Sequence, residues 1–381
     1  MSREGVQPRC PSPVTRVLLL AARAQPDRAS VRHLIRAGMD YESLLSQAEH
    51  RGLTPLLYWC LNESCPEFVP EATLDLLRAA FRAAAQKSLL LTGELFRIMA
   101  AFRSSQIPVV PLKGPTLAWS LYPHPALRPF SDLDLLVKRQ DVLSARAVLR
   151  ALGYDDSLRE EQIGSRFLKW NEELPFRHQP SGAAVDLHWG AGPQHFSLSS
   201  FEASWEHLVP IDVAGRPVPA FCPEDQLRFL CVHGAKHGWP SLLWLSDVAR
   251  LVSLPSLDWD RFLAGCHRGP LLRTVQLGLL LARNVLEAQI PPAVLRRLDL
   301  STDTLAYTIA YNQLLSPSPW RDRFREFRFQ SRLLEGLGPK LGLWWSMFAP
   351  SPLDLAQIRL PARCFPLYYL IRASRLIART L

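Results

Sequence analysis

Two aspartates alternate with leucines from Asp132 to Val137, where the chain reads D-L-D-L-L-V. Successive side chains of a β-strand point to opposite faces of a sheet, so a strand here would carry both carboxylates on one face. The other face would carry Leu133, Leu135 and Val137 into a core. Neighbouring carboxylates repel each other, and a hard divalent cation with oxygen ligands relieves that repulsion. The pattern therefore indicates a metal site, although a solvated strand edge with incidental acids has the same letters.

A second candidate feature lies about twenty residues upstream, where Val109 to Gly114 reads V-V-P-L-K-G. We interpret it as an apolar strand that ends in a glycine at the start of a helix from Pro115 to Tyr122. A glycine lets the backbone approach a phosphate closely, and a helix N-terminus offers free N–H groups. An ordinary strand-to-helix turn is the alternative. A third acid, Asp186, lies about fifty residues downstream of Asp132 and Asp134, on another predicted strand.

Strand, glycine turn, D-x-D and a lone aspartate on a later strand resemble the layout of the DNA polymerase β-like nucleotidyltransferase superfamily. Within it, the chain resembles a family known only as uncharacterised nucleotidyltransferases. The segments that carry the resemblance are L-K-G at 112–114, L-Y-P at 121–123, L-R at 127–128, S-D-L-D-L-L-V at 131–137, L-G-Y at 152–154, V-D-L-H-W at 185–189, H-x3-H at 233–237 and W-L-x-D at 244–247.

The resemblance implies a Mg²⁺-dependent enzyme that moves an NMP from an NTP to an acceptor and releases pyrophosphate. Asp132 and Asp134 would bridge two Mg²⁺ ions, and Asp186 would complete the site of one of them, with Mn²⁺ as a possible substitute. The acceptor stays open between a small molecule, a protein and RNA. Two alternatives remain: a toxin-like enzyme that modifies tRNA or protein, and a catalytically degenerate protein that binds a nucleotide or a partner.

The expected fold class is α+β, with a nucleotidyltransferase core of α/β type around a mixed sheet and all-α regions on both sides. Helical periodicity dominates residues 1–104 and 221–381, whereas strands and helices alternate within residues 105–220. We therefore predict an N-terminal helical region, a catalytic core, and a C-terminal helical region with a basic tail.

Nucleotide binding is expected at Lys113, Gly114, Thr116 and Arg128. The superfamily usually has Gly-Ser after its first strand, whereas Pro115 and Thr116 follow the glycine here, so the threonine hydroxyl is a candidate substitute for the serine. The planar guanidinium of Arg128 suits a pair of triphosphate oxygens. A salt bridge that orients one of the aspartates is an equally good interpretation.

Three histidines are candidates for contacts with the acceptor or for support of the acidic residues. His188 follows Asp186 by two positions and would share its strand face. His233 and His237 are four residues apart and would share a helix face, facing a cleft or making polar contacts with a group such as Asp247. No third ligand with suitable spacing accompanies them, so zinc is not expected.

The chain is basic, with 44 Lys and Arg against 35 Asp and Glu. Most of the excess lies in residues 316–381, which hold eleven basic and four acidic residues. A nucleic-acid binder through the main body is therefore disfavoured. The basic tail interleaves arginines with aromatics, which could bind RNA or an anionic membrane surface. We favour a third interpretation, in which the aromatics pack on the helical body. Trp344 and Trp345 are interpreted as core or interface residues.

Seven cysteines without a C-x-x-C pair indicate a reducing compartment and buried thiols. The apolar run from Val17 to Ala22 is too short for a signal peptide. No stretch approaches about 20 consecutive apolar residues, so no membrane span is expected. These observations predict a cytoplasmic protein.

Overall fold

A computed structural model describes residues 11–159, 162–190, 203–266, 272–298, 304–315, 323–350 and 366–378, with four further positions between 354 and 360. The described chain is mostly helical and contains one five-stranded sheet and one two-stranded sheet. Helices precede and follow the larger sheet along the chain, as the sequence predicts.

The described part of the N-terminal region contains five α-helices. They are α1 (Pro13–Ala22), α2 (Arg28–Arg36), α3 (Tyr41–His50), α4 (Thr54–Ser64) and α5 (Glu71–Ser104). The side chains of Ser12, Asp27 and Asp40 each accept a hydrogen bond from a backbone N–H in the first turn of α1, α2 and α3. These caps satisfy N–H groups that have no partner within a helix, and so they fix where the three helices begin.

The larger sheet has the strand order β1-β2-β5-β4-β3. Its strands are β1 (Val109–Pro111), β2 (Asp132–Val137), β3 (Tyr154–Asp155), β4 (Glu173–His178) and β5 (Ala184–His188), and the intervening helices are α6 (Pro115–Leu121), α7 (Val142–Ala151) and α8 (Ser165–Trp170). Strands β2 and β5 run parallel, and the other neighbours are antiparallel. The sheet is therefore mixed, which confirms the predicted fold class.

Strand β2 has the two faces that its alternating sequence predicts. Leu133, Leu135 and Val137 are buried in a hydrophobic cluster that also contains Phe102 of α5 and Leu149 of α7. Burial of these side chains orients the strand, and the alternation then turns both aspartates toward the opposite face.

Beyond the sheet, a hairpin is followed by nine helices among the described residues. The hairpin strands are β6 (Val209–Val213) and β7 (Arg216–Ala220), and the helices are α9 (Pro223–Lys236), α10 (Leu242–Leu251), α11 (Trp259–Cys266), α12 (Leu272–Leu286), α13 (Pro292–Leu298), α14 (Thr304–Leu315), α15 (Arg323–Leu333), α16 (Leu337–Phe348) and α17 (Leu367–Ala378).

The N-terminal and C-terminal helices share one hydrophobic cluster. It joins side chains such as Leu18 and Leu57 to Leu245 and Leu279. The first and third regions of the chain therefore bury apolar surface together. The division at residues 104 and 220 stays a prediction.

The basic tail is partly packed on the body, as we favoured from the sequence. Phe329 and Tyr368 are fully buried, and the buried Asp354 forms ion pairs with Arg372 and Arg375. Residues 321–322 of the arginine-rich run lie outside the described residues. Across the described ranges, no helix is both long and apolar enough to cross a membrane.

Candidate active site

A cleft that encloses about 620 Å³ of solvent-connected space opens beside the β2–β5 strand pair. Acidic, basic and imidazole groups dominate its walls, and they come from the turn after β1, from three strands and from α9. The lining residues are Lys113, Asp132, Asp134, Glu172, Glu173, Asp186, His188, Gly190, Phe229, His233, Lys236 and His237. The cleft thus gathers most of the site residues that the sequence predicts.

The register of the parallel pair places Asp134 directly beside Asp186, with His188 two residues further along β5. Potential ligand atoms of Asp134, Asp186 and His188 all lie within 4.8 Å of one another. Parallel neighbours in register bring equivalent side chains to the same face, so two acids that are 52 residues apart in sequence become adjacent. Asp132 lies half-buried in the same cleft.

Lys113 supplies the positive charge nearest to this acidic group. Its Nζ lies 3.0 Å from Asp134 Oδ1 and 3.4 Å from His233 Nε2. The lysine reaches this position because Gly114, which follows it, has φ 66° and ψ −122°. That backbone conformation is strained for residues other than glycine, so the glycine is needed to turn the chain into α6.

The three aspartates differ in their electrostatic environment. Burial acts to raise the pKa of Asp134, but Lys113 and His188 outweigh it and hold that pKa well below its usual value. Burial and the neighbouring Asp134 raise the pKa of Asp132. Burial and Asp134 also raise the pKa of Asp186, to about 6. The Asp134 carboxylate therefore has its counter-charge in the protein. A bound cation would stabilise the charged forms of Asp132 and Asp186.

His188 connects the acidic group to a second wall of the cleft. Its Nε2 lies 3.1 Å from Asp134 Oδ1, and its Nδ1 lies 3.6 Å from Glu173 Oε2. Lys236 Nζ lies 3.6 Å from the same glutamate oxygen. The imidazole is thus held between two carboxylates, a position from which it orients Asp134.

Glu172 and Glu173 are site residues that sequence reasoning missed. Glu172 Oε1 is buried and has no hydrogen-bond partner among the described residues. Burial raises the pKa of Glu172 to about 7, with Lys236 acting in the opposite direction. The sequence signal is the E-E pair at the start of a strand with alternating apolar residues. Only the pairing of β4 with β5 shows that this pair faces the cleft.

His233 lies in the last turn of α9, His237 directly follows that helix, and both line the same wall of the cleft. Both rings pack against Trp244 of α10, with centroid distances of 4.4 and 5.5 Å. Burial and the charge of Lys113 lower the pKa of His233 well below its ordinary value. A neutral His233 can accept a hydrogen bond from the Lys113 ammonium, which helps to aim the lysine.

Arg128 and Asp247 form a buried ion pair, and neither residue is among those that line the cleft. Arg128 Nε lies 3.0 Å from Asp247 Oδ1, Nη2 lies 2.8 Å from Oδ2, and the two side chains are 4% and 0% exposed. Tyr122 donates a further hydrogen bond to Asp247, over 2.7 Å. Arg128 therefore forms a salt bridge, as one interpretation of the sequence predicts, but its partner is Asp247 rather than an aspartate of β2. The hydrogen bonds of Asp247 described here go to Arg128 and Tyr122 and not to His233 or His237.

Thr116 is buried at the start of α6. Its hydroxyl donates a hydrogen bond of 3.2 Å to the backbone carbonyl of Lys113. This bond closes the turn that carries the lysine. The hydroxyl thus supports the glycine turn, and Thr116 is not among the residues that line the cleft.

A family model described as "Uncharacterised nucleotidyltransferase" matches residues 37–287, which is about two thirds of the chain. The match includes every residue that lines the cleft. No curated protein and no solved structure matches the chain.

Proposed function

The chain belongs to this family of uncharacterised nucleotidyltransferases, and we propose that it transfers an NMP from an NTP to an acceptor at the cleft beside β2 and β5. A hydroxyl or amino group of the acceptor would attack the α-phosphorus and lose its proton, the bond from that phosphorus to the bridging oxygen of the β-phosphate would break, and pyrophosphate would leave. The observation that carries the proposal is the parallel register of Asp134 with Asp186.

The donor atoms of the cleft fit a divalent cation. Carboxylate oxygens are the ligands that Mg²⁺ and Mn²⁺ prefer, and Asp132, Asp134 and Asp186 provide them on one sheet face. We propose that these three aspartates hold two Mg²⁺ ions. When bound, the ions would neutralise charge on the phosphates and on the entering and leaving oxygens. His188, hydrogen-bonded to Asp134, would orient that ligand.

Lys113 is the residue of the cleft best placed to bind the phosphates of the NTP. Its ammonium lies at the acidic group and follows a strand whose end is fixed by the glycine turn. The backbone at Gly114 can approach a phosphate because the residue has no side chain. Arg128 is paired with Asp247, so we propose that it shapes the loop that leads into β2 and does not bind phosphate.

The acceptor would contact the wall formed by Glu172, Glu173, Lys236 and His237. This wall presents both carboxylates and cationic groups, which suit an acceptor with hydroxyl or amino groups. Small molecules, proteins and RNA ends all carry such groups. A toxin-like enzyme that modifies tRNA or protein is therefore the second candidate. A degenerate binding protein would not need the acids of both strands to converge as they do.

We propose the cytoplasm as the compartment. The five described cysteines are free and buried, as expected of thiols in a reducing environment. Burial raises the pKa of the Cys60 thiol to about 12, so that thiol is protonated and unreactive at neutral pH.

The test is incubation of the purified protein with each α-labelled NTP, Mg²⁺ and a cell extract, followed by separation of small molecules, RNA and protein. The proposal predicts label in one of these fractions and none with the Asp186→Asn variant. Label in no fraction with any of the NTPs would contradict it. The labelled fraction also distinguishes a small-molecule acceptor from tRNA or protein.

A further inference from the structure

Glu172 is an acid of the cleft whose carboxylate is not satisfied by the described part of the chain. Its Oε1 atom is buried and has no hydrogen-bond partner among the described residues. The residue as a whole is only partly buried, and it lines the cleft. A buried polar atom without a partner costs free energy, so native proteins keep few of them. At the wall of a substrate cleft, the missing hydrogen-bond donor is one that a substrate can supply.

The adjacent Glu173 takes the contacts with the nearby basic groups. Lys236 Nζ and His188 Nδ1 each lie 3.6 Å from Glu173 Oε2. Glu172 forms no ion pair with any described residue. The two glutamates therefore differ in their chemistry. Glu173 has counter-charges in the protein, whereas the carboxylate of Glu172 is available to a ligand.

The sheet fixes the position of Glu172. The residue directly precedes β4, and its backbone carbonyl accepts a hydrogen bond of 3.0 Å from the N–H of Trp189, which directly follows β5. The indole Nε1 of Trp189 donates in turn to the carbonyl of Leu168 on α8, over 3.1 Å. Glu172 thus enters the same cleft as Asp186 of β5 on a rigid support. A side chain that must meet a reacting atom needs such a support.

The surroundings of Glu172 also suit a proton acceptor that works near neutral pH. Burial raises the pKa of Glu172 to about 7, Lys236 and His188 act to lower that pKa, and the negative charge of Glu173 acts to raise it. A general base is most effective when its pKa lies near the working pH, because it is then both ionised and sufficiently basic. An exposed glutamate, with a pKa of about 4.3, would be a weaker base.

We propose that Glu172 is the general base of the transfer reaction, an inference that rests on the function proposed above. A hydroxyl or neutral amino group of the acceptor donates a hydrogen bond to the Glu172 carboxylate. As the acceptor atom forms its bond to the α-phosphorus, its proton moves to Glu172. The bond from that phosphorus to the bridging oxygen breaks, and pyrophosphate leaves with the electron pair. Glu172 returns the proton to solvent after the product has left.

The test measures the rate at which the full-length protein transfers the α-label from NTP to the acceptor, at saturating NTP, Mg²⁺ and cell extract. We expect Glu172→Gln to be slower than the wild type by about 100-fold or more at pH 8, and Glu172→Asp to retain part of the rate. Glutamine has nearly the same shape and still accepts a hydrogen bond, so its effect isolates the loss of basicity. The matched control is Glu49→Gln on α3, an exposed position that should behave as the wild type does.

The pH profile distinguishes a base from a residue that only supports the cleft. The wild-type rate should fall about tenfold from pH 8 to pH 6 as Glu172 takes up a proton, and Glu172→Gln should lack this fall. Titration with a fluorescent NTP analogue should give the same affinity for the variant and the wild type. The unfolding temperature of Glu172→Gln should be no lower than that of the wild type, because the substitution removes a buried charge.

Two results would overturn this inference and leave the proposed function in place. One is near-normal transfer by Glu172→Gln. The other is a fall in rate between pH 8 and pH 6 that persists unchanged in that variant, which would assign the proton to another group such as Asp186. A loss of NTP affinity that accounts for the whole effect of Glu172→Gln would likewise overturn it. No transfer by the wild-type protein at any pH would contradict the proposed function and this inference together.

Discussion

Lys113 Nζ lies 3.0 Å from Asp134 Oδ1, so the lysine of the glycine turn is the counter-ion of the most buried acid on β2. The contact joins two features from which we propose a nucleotidyl-transfer site, the glycine turn and the acidic strand. It also explains how a buried carboxylate remains ionised. Removal of either partner should therefore have consequences that differ for binding, turnover and stability.

Lys113→Ala should weaken NTP binding by about tenfold or more, because it removes the cation that we propose binds the phosphates. Equilibrium titration with a fluorescent NTP analogue in the presence of Mg²⁺ measures the effect. Lys87→Ala, an exposed lysine of α5, is the matched control and should bind as the wild type does. Unchanged affinity in Lys113→Ala would leave the phosphate-binding role without support.

Asp186→Asn should stabilise the protein in a chelating buffer, and the gain should depend on pH. The pKa of Asp186 is raised from 3.8 to about 6 in the fold, so the folded state binds more protons than the unfolded state between these values. The wild type therefore loses stability as the pH rises from about 4 to 6, by about 1–2 kcal/mol once its partial exposure is considered. Urea unfolding at pH 4 and pH 7.5 measures this.

The variant removes that charge, so its advantage over the wild type should be absent at pH 4 and complete at pH 7.5. Asp134→Asn is the contrasting control, because it leaves Lys113 without its partner and should not stabilise. An Asp186→Asn advantage that is equal at both pH values would contradict the assigned electrostatics.

Arg128→Ala should destabilise the protein by about 3–5 kcal/mol, because it leaves the buried Asp247 carboxylate without its cation. Thermal and urea unfolding measure the loss. The double variant Arg128→Met/Asp247→Leu should recover part of it, since neither charge is then buried alone. Near-normal stability of Arg128→Ala combined with lost NTP affinity would instead restore a phosphate-binding role for the arginine.

Gly114→Ala should cost about 1–3 kcal/mol of stability, because its φ of 66° is strained for alanine. It should also weaken NTP binding, since the turn fixes Lys113. Gly93→Ala provides the control within α5, where an added methyl group meets nothing within 4 Å. That change should stabilise by up to about 1 kcal/mol. Equal effects of both substitutions on unfolding would show that the turn is not under this constraint.

The local features of the site could be predicted from the sequence. Strand β2 and its two faces follow from the alternation of Asp132 and Asp134 with leucines, and the glycine turn follows from an apolar run that ends at Gly114. The apolar residues beside Asp186 in V-D-L-H-W at 185–189 likewise predict a strand. Each of these depends on side chains that are near in sequence, where periodicity is informative.

The contacts that complete the site depend on long-range pairing. Arg128 and Asp247 are 119 residues apart, and no local pattern identifies one as the partner of the other. Likewise, the contact of His188 with Asp134 requires β5 to be the parallel neighbour of β2. Glu172 and Glu173 enter the cleft through the pairing of β4 with β5. Strand register and helix packing set these positions.

The most direct test of NMP transfer at Asp134 and Asp186 compares NTPs that carry the label at two different phosphorus atoms. Wild-type protein and the Asp134→Asn and Asp186→Asn variants are incubated with the four NTPs, labelled either at the α- or at the γ-phosphorus, together with Mg²⁺ and the cell extract. We predict that the wild type places the α-label on the acceptor and releases the γ-label as pyrophosphate, and that both variants do neither. Transfer of the γ-label to the acceptor, or near-normal α-label transfer by both variants, would contradict a nucleotidyltransferase centred on these two aspartates.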